Sequence, residues 1–466
     1  MEPVMELDKV WSKSVGEDQL WSYNCVDCVR TRESGEALQR AIPAMGLQEV
    51  EDFQQSMFWP VLQAMQRGVR IDKVERAWMD KKMETELAKR LAYFEYVLGH
   101  KLNVNSNKQM KELFYGDFNL KPIMSRAKKG EVPHITCDDS ALATIALKNP
   151  LLRPLIHQIQ EYRTIRVFLS TFIRMPLDID DRMRTSYNIC GTETYRLSSS
   201  ENAFDSGGNL QNIPKGGEDD ESDLVLPNMR TIFVPDHGFT FFDTDLSKAD
   251  LRVVIWESDE TEMKAMLNEG RDPYIETARE FYSDPTITKR LPNGQDNPKY
   301  KTFKSFAHGT HYLGTAVGLS QRLGLTVHQA ERTQRWYFGK YPKIKEWQER
   351  FCDEIRRTRR VKNAFGYTRV YFDRVSESTC REAIAWLPQS TVACVINRVW
   401  KNLYDQAPQI QVLLQVHDSL AGQFPTHRSA ECHEDFARLS RIVVPYPDTL
   451  IIPIELKTSE KSWGDC

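Results

Sequence analysis

The stretch LLQVHDSLAGQF, residues 413–424, alternates apolar and polar positions like a half-buried strand and sets His417, Asp418 and Ser419 at its middle. Two apolar arms around such a tip read as a β-hairpin, since Asp and Ser are ordinary turn residues. An acid on a buried mount is costly unless it is paired or hydrogen-bonded, so Asp418 calls for a partner elsewhere. The candidate lies in FTFFDTDLSKADLR, residues 239–252, where a Phe-rich strand ends at Asp245 and a helix begins. Capping of that helix by Asp245 or Ser247, with Ser247 and Asp250 as a capping box, is the plainer reading of this second acid. Capping does not explain why each acid ends an apolar strand, in the two strand-rich portions of the chain. If those strands are neighbours, the carboxylates converge and their repulsion calls for a cation. Magnesium suits such a site, which would offer carboxylates and substrate phosphates. Two such ions serve in-line phosphoryl transfer.

A chain of 466 residues, 41% hydrophobic and 27% charged, is too long for one simple core and too apolar for disorder. Several packed subdomains are expected. The net charge of −3 excludes a uniformly basic surface and leaves any polyanion site to a local patch. The acidic start MEPVMELDKVWSK lacks signal-peptide character, and no segment approaches a membrane-spanning length, so a cytoplasmic location without membrane contact is expected. Nine cysteines read as reduced thiols. Cys25 and Cys28 form a lone CxxC, better read as two thiols on a helix than as zinc ligands.

The first half carries helical periodicity, with capping-box patterns at SNKQ (106–109) and TCDD (136–139) and a basic loop, SRAKKGE (125–131). A Gly-, Ser- and Asn-rich connection follows through residues 198–222, long enough to suggest a functional loop. Helical pattern returns from Thr261 to about Phe365, and strands recur towards LIIPIELK. The fold class expected is α+β, a sheet core whose two sequence-distant parts are separated by a helical insertion. Within that insertion, KYKTFKSFAHGTHYLG (299–314) spaces Lys304, His308 and Tyr312 by four, with Lys301 three before Lys304. A cationic end for phosphates and an aromatic end for a base or sugar thus share one helix face. A solvated basic helix with its aromatics turned to the core fits the same pattern.

These stretches together resemble the family A DNA polymerases, from about Phe53 to the C-terminus. DTDLSKADLR resembles the first palm motif, which implies that Asp245 and the Leu246 carbonyl hold metal. LLQVHDSL resembles the second and supplies Asp418, with His417 facing the primer backbone. KSFAHGTHYLG is similar to the fingers helix, which implies triphosphate contact by Lys304 and places Tyr312 near the templating position; the nucleotide contacts expected with them are Lys301, His308, Asp250 and Tyr274. TYRLSSS with NLQNIP, and REAIAWLPQSTVACVI, imply DNA contacts by Arg196, Gln389 and Arg381. NVNSNKQMKELF resembles the thumb and offers Asn105, Ser106 and Lys108, beside Arg126, Lys128 and Lys129 of the basic loop. So many motifs in the right order are specific.

The resemblance implies a right-hand fold with an antiparallel-sheet palm, a helical thumb and helical fingers. The expected divisions are an exonuclease-like remnant at 1–50, the thumb and preceding helices at 51–184, palm at 185–260, fingers at 261–375 and palm again at 376–466. It also implies primer-template DNA and dNTPs as partners, two Mg2+ ions (Mn2+ as substitute), and a bacterial or phage-infected cell as the setting.

Several positions depart from the family. Asp250 and Ser419 stand where glutamates are usual, and the shorter Asp250 predicts weaker exclusion of ribonucleotides. His308 replaces Phe or Tyr, and Leu313 splits the usual Tyr-Gly pair. Tyr300 replaces an arginine, for which Lys301 and Arg290 are the alternatives. In WSYNCVD, Tyr23 and Asp27 keep the spacing of a last exonuclease motif without the other acids. That predicts no self-contained proofreading and an exonuclease polypeptide or processivity factor as partner. A single-subunit phage-type RNA polymerase and an inactive DNA-binding accessory subunit are the alternatives.

Overall fold

The computed structural model describes residues 16–125, 132–202, 206–218 and 224–466. The Phe-rich run forms strand β1 (Phe239–Leu246), the second-from-edge strand of a four-stranded antiparallel sheet. Its companions are β2 (Gln411–Val416), β3 (Ser419–Pro425) and β4 (Ile454–Ser459), in the order β2, β3, β1, β4. Successive side chains of β1 alternate between faces. Phe241 therefore enters the core shared with the N-terminal helices, while Phe242 enters the opposite one. There Phe242 stacks on Phe424 at 6.2 Å and meets Phe436 edge-on at 4.8 Å. Each such ring contributes about 2–3 kcal/mol through burial alone. The strands before and after the helical insertion thus make one sheet, as the sequence pattern predicts.

Helix α1 (Glu17–Ala44) buries none of its residues, and Cys25 and Cys28 are exposed free thiols on it. Helix α2 (Lys73–Leu98) starts where the Asp72 carboxylate accepts the Val74 and Glu75 N–H groups, and ends at Gly99 with φ 73°. Its stripe of Met79, Met83, Leu87 and Phe94 faces α3 (Arg153–Val167), where Phe94 meets Tyr162 edge-on at 6.1 Å. Buried Arg90 pairs across the same contact with Glu161 at 2.7 Å. Helix α4 (Ala249–Ser258) follows β1 directly. The insertion carries α5 (Pro298–His311), α6 (Val327–Lys340) and α7 (Pro342–Thr358) around a core of Tyr300, Phe303, Phe306, Tyr337 and Tyr341. Helix α8 (Glu377–Gln406) then packs Val392, Val395, Ile396 and Val399 with Phe242 and Leu420 of the sheet.

Local expectations fail where a cap depends on backbone conformation. The Ser247–Asp250 capping box does not form, because Lys248 takes the N-cap position with φ 52° and no side chain caps the helix. Near residue 136 the cap is Asp138, which accepts from Ala141 N–H at 2.8 Å, and not Thr136. Ser106 does cap its helix, but the Gln109 side chain turns to Asn103 N–H, so the box is half made. Arg126, Lys128 and Lys129 lie outside the described residues. No helix among those described is long and apolar enough to cross a membrane.

Candidate active site

The β2–β3 connection is two residues long, His417 and Asp418, between the paired Val416 and Ser419. His417 adopts φ 56°, a left-handed conformation uncommon for residues other than glycine. The buried Ser419 hydroxyl donates back to Val416 O at 2.9 Å. Buried polar groups pin this hairpin from below. Gln415 N–H donates to the Tyr187 hydroxyl at 2.9 Å, which donates to Gln415 O at 3.1 Å. The Gln415 amide donates to Asn397 on α8 at 2.7 Å, and Gln211 of NLQN donates to Leu197 O and Gln415 O. Thr244 ties β1 to β3 by accepting Leu420 N–H at 2.9 Å and donating to Leu420 O at 3.0 Å. A fully satisfied buried network of this kind rigidifies what it supports.

What it supports is a pair of aspartates on adjacent structural elements. Along one face of β1, Phe241 is fully buried, Asp243 is half-buried and Asp245 opens to solvent. Although one side of Asp245 is open, surrounding protein crowds its carboxylate, and this loss of hydration is the first reason its pKa rises to about 6. Asp418, then Glu455 and Asp243, add repulsion, which Lys215 partly offsets. Burial also raises Asp418, with Asp250 adding to the effect, while its own backbone N–H, Arg196 and His417 oppose it. Asp243 is raised by burial and steadied by Trp463, Arg230, Lys215 and Lys457. Its nearest ion-pair partner, Arg230, lies 3.6 Å away and stacks on the Trp463 ring at 4.0 Å. Among the described residues no three His, Cys, Asp or Glu side chains close into a direct metal cage. Asp245 and Asp418 are the candidate donor pair, and Leu246, with its side chain buried, has only backbone to offer.

Helix α5 divides its faces cleanly. Tyr300, Phe303, Phe306, Ala307 and His311 are buried, while Lys301 and Lys304 are exposed and His308 is half-buried. Burial lowers His311 to about 3 and also lowers His308, so the charge on this helix face comes from the lysines. The His308 and Tyr312 rings meet edge-on at 4.6 Å, and the Tyr312 hydroxyl donates to the Asp250 carboxylate at 2.9 Å. That bond links the insertion to α4 and hence to β1. Tyr274, an expected nucleotide contact, is only 5% exposed and packs into the core of the insertion, close enough to Asp250 for the two to interact electrostatically. Arg290 sits on an exposed loop bridged to Asp296.

Arg196 reaches the same place from another direction. Tyr195, at φ 60°, is held edge-on by Tyr367 at 4.4 Å and by Trp386, and Thr192 donates to Arg196 O at 2.7 Å. The Arg196 guanidinium is close enough to act electrostatically on both Asp418 and Tyr312, and its buried Nε has no acceptor among the described residues. Gln389 is half-buried on α8 beside Pro388, and Arg381 lies two turns earlier, 3.9 Å from Glu377. Asn105, Ser106 and Lys108 belong to the N-terminal helical lobe, around buried Val104 and Met110. Asn105 and Lys108 are exposed there, and Ser106 is engaged as a cap. Sequence reasoning missed Asp243, Glu455, Lys215 and Arg230. The i, i+2 pattern of DTD and the alternation in IELK could have pointed to the two acids.

The chain matches the profile of DNA polymerase family A over residues 75–465. It is 28% identical over 402 residues to the thermostable DNA polymerase I of Thermus aquaticus, covering 84% of this chain and 45% of that protein. It is 27% identical over 462 residues to DNA polymerase I of Chloroflexus aurantiacus, covering 94% of this chain and 46% of that protein. The chain thus spans about half the length of the curated relatives it matches. Among solved structures, the POL domain of Pol1 from M. smegmatis, in complex with DNA primer-template and dNTP, superposes with a TM-score of 0.76. It shares 19% identity over 92% of this chain and 74% of that one. The fold is accordingly the right-hand polymerase fold, with an antiparallel-sheet palm, a helical thumb and helical fingers. The sequence match over nearly the whole chain carries the further conclusion that this protein belongs to DNA polymerase family A.

Proposed function

We propose that this chain is a template-directed DNA polymerase that joins dNTPs to a primer 3′ end and releases pyrophosphate, in DNA replication. The observation that carries the reading is the convergence of Asp245 and Asp418 beside a helix whose exposed lysines are linked to them through Tyr312 and Asp250. The donor set fits magnesium, with manganese as a substitute, because it is all oxygen and mutually repelling. Asp245, the Leu246 carbonyl and Asp418 would hold the two ions, which supply charge neutralisation for phosphoryl transfer when bound. Lys304 and Lys301 grip the triphosphate, and His308 and Tyr312 support the base and sugar. Arg196 offers its unpartnered Nε to the primer terminus. Gln389, Arg381 and His417 line the duplex path, and Asn105, Ser106 and Lys108 meet its backbone further away. In the reaction the primer 3′ hydroxyl gives up its proton to water as its oxygen bonds to the α-phosphorus, the bond from that phosphorus to the α–β bridging oxygen breaks, and pyrophosphate carries the electron pair away.

The divisions proposed are thumb and preceding helices at 51–184, palm at 185–260 and 376–466, and fingers at 261–375. Tyr23 and Asp27 on α1 are the basis for a proposed separate exonuclease polypeptide as partner. Primer extension with magnesium tests the reading. Extension with dNTPs over rNTPs is expected, and Asp245→Ala or Asp418→Ala should each reduce it by about a thousandfold or more. Efficient unprimed synthesis from rNTPs would favour an RNA polymerase instead, and activity that survives both substitutions would place the chemistry elsewhere.

A further inference from the structure

The register of β4 places Glu455 directly opposite Asp245. Ser247 N–H donates to Pro453 O at 2.9 Å, so the alternation of an antiparallel ladder makes Asp245 and Glu455 a hydrogen-bonded pair, with side chains on one face about 5.5 Å apart. Both residues are exposed on that face. Like charges directly opposite each other destabilise a sheet. The neighbouring pair shows what compensation looks like. Asp243 faces Lys457 across the same two strands and has Arg230 at 3.6 Å. Asp245 and Glu455 have no ion-pair partner within 4.0 Å among the described residues.

The other flank of Asp245 lacks an acid. Ala421 pairs with Asp243, and continuing that register by two residues sets Ser419 beside Asp245. The Ser419 hydroxyl is already engaged with Val416 O. Apart from Asp418 at the hairpin tip, the negative charge flanking Asp245 therefore comes from β4 and not from β3. Protection of an edge strand calls only for a charge, and a lysine serves as well, as Lys457 two residues on illustrates. A carboxylate facing an aspartate needs a further explanation.

We propose that Glu455 is a positioning residue for the divalent cation at Asp245, acting through the cation's bound water and replacing the carboxylate that residue 419 does not provide. Magnesium usually keeps several waters, so a carboxylate outside direct contact can orient one of them. The inference rests on the two-metal reading of Asp245 and Asp418.

The test uses the whole chain and two readouts, manganese binding followed by electron paramagnetic resonance and the magnesium midpoint of primer extension. Glu455→Gln should weaken manganese binding and raise the magnesium midpoint, both by about tenfold, with primer-template affinity unchanged and the melting temperature of the metal-free protein not lowered, since a like-charge pair is removed. Adding Ser419→Glu to Glu455→Gln should restore both values to within about twofold of the parent. Unchanged binding and midpoint in Glu455→Gln would overturn the proposal and leave Glu455 as an edge charge. A shift that Ser419→Glu does not rescue would also overturn it. Asp245→Asn separates the two levels: if it leaves manganese binding intact, the metal reading itself fails, whatever Glu455 does.

Discussion

Asp250 is held by the hydroxyl of Tyr312 at 2.9 Å, so the residue expected to leave room beside an incoming sugar is tethered to the aromatic end of α5. Its short side chain still sets the carboxylate back by one methylene from the glutamate usual in the family. Asp250→Glu should raise dNTP-over-rNTP selectivity about tenfold, and Tyr312→Phe, which frees the carboxylate, should lower it, measured by competitive single-nucleotide insertion. Equal selectivity in all three proteins would remove Asp250 from sugar discrimination. The places of Asp245, Asp418 and Lys304 in the fold were legible in the sequence because each is set locally, near a strand end, at a hairpin tip or on an exposed helix face. The burial of Tyr274 was not, because it turns on which side of its helix packs inward, and here it joins Phe303 and Tyr341 in the core. Glu455 was hidden for another reason. Its meaning lies in a pairing with a strand far away in the chain, which no local period encodes.

The elements themselves were readable from periodicity, and their ends less so. Helix α4 begins after a left-handed Lys248 where a capping box was expected, because the chain must turn sharply out of β1 while still pairing Ser247 with Pro453. In the sheet, Gly422 of β3 pairs with Val412 of β2 where there is no room for a side chain. A Cβ there would lie 2.1 Å from Gln411 O and 2.7 Å from the Phe242 ring. Gly422→Ala should therefore destabilise the protein by about 3 kcal/mol, read as a lower denaturant midpoint. Gly339 of α6, which has nothing within 4 Å of its would-be Cβ, is the control, since alanine there should stabilise by up to about 1 kcal/mol. If both substitutions had the same effect, close packing of the hairpin would not be what restricts residue 422 to glycine.

Across the whole molecule, a net charge of −3 means that the DNA proposed as substrate would have to be gripped by local cations against an overall repulsion. Primer-template affinity should fall at least tenfold between about 50 and 200 mM salt. Lys108→Ala should lower the slope of log affinity against log salt by about one if that residue meets a phosphate. A salt-insensitive affinity would count against phosphate contacts as the source of binding. The strand order has a consequence of a different kind, in the timing of synthesis. Strand β1 is hydrogen-bonded on both sides, yet its partners begin only at Ser419, after the entire helical insertion. Phe241 and Phe242 therefore leave the ribosome with nothing to pair with, while the helical lobes before and after them can close on near-neighbour contacts. Pairing deferred in this way is slow and leaves apolar strand surface open to aggregation. The strand order thus predicts a nascent stage with two folded lobes around an unfinished sheet, whose carboxylates come together only when β3 and β4 dock along β1.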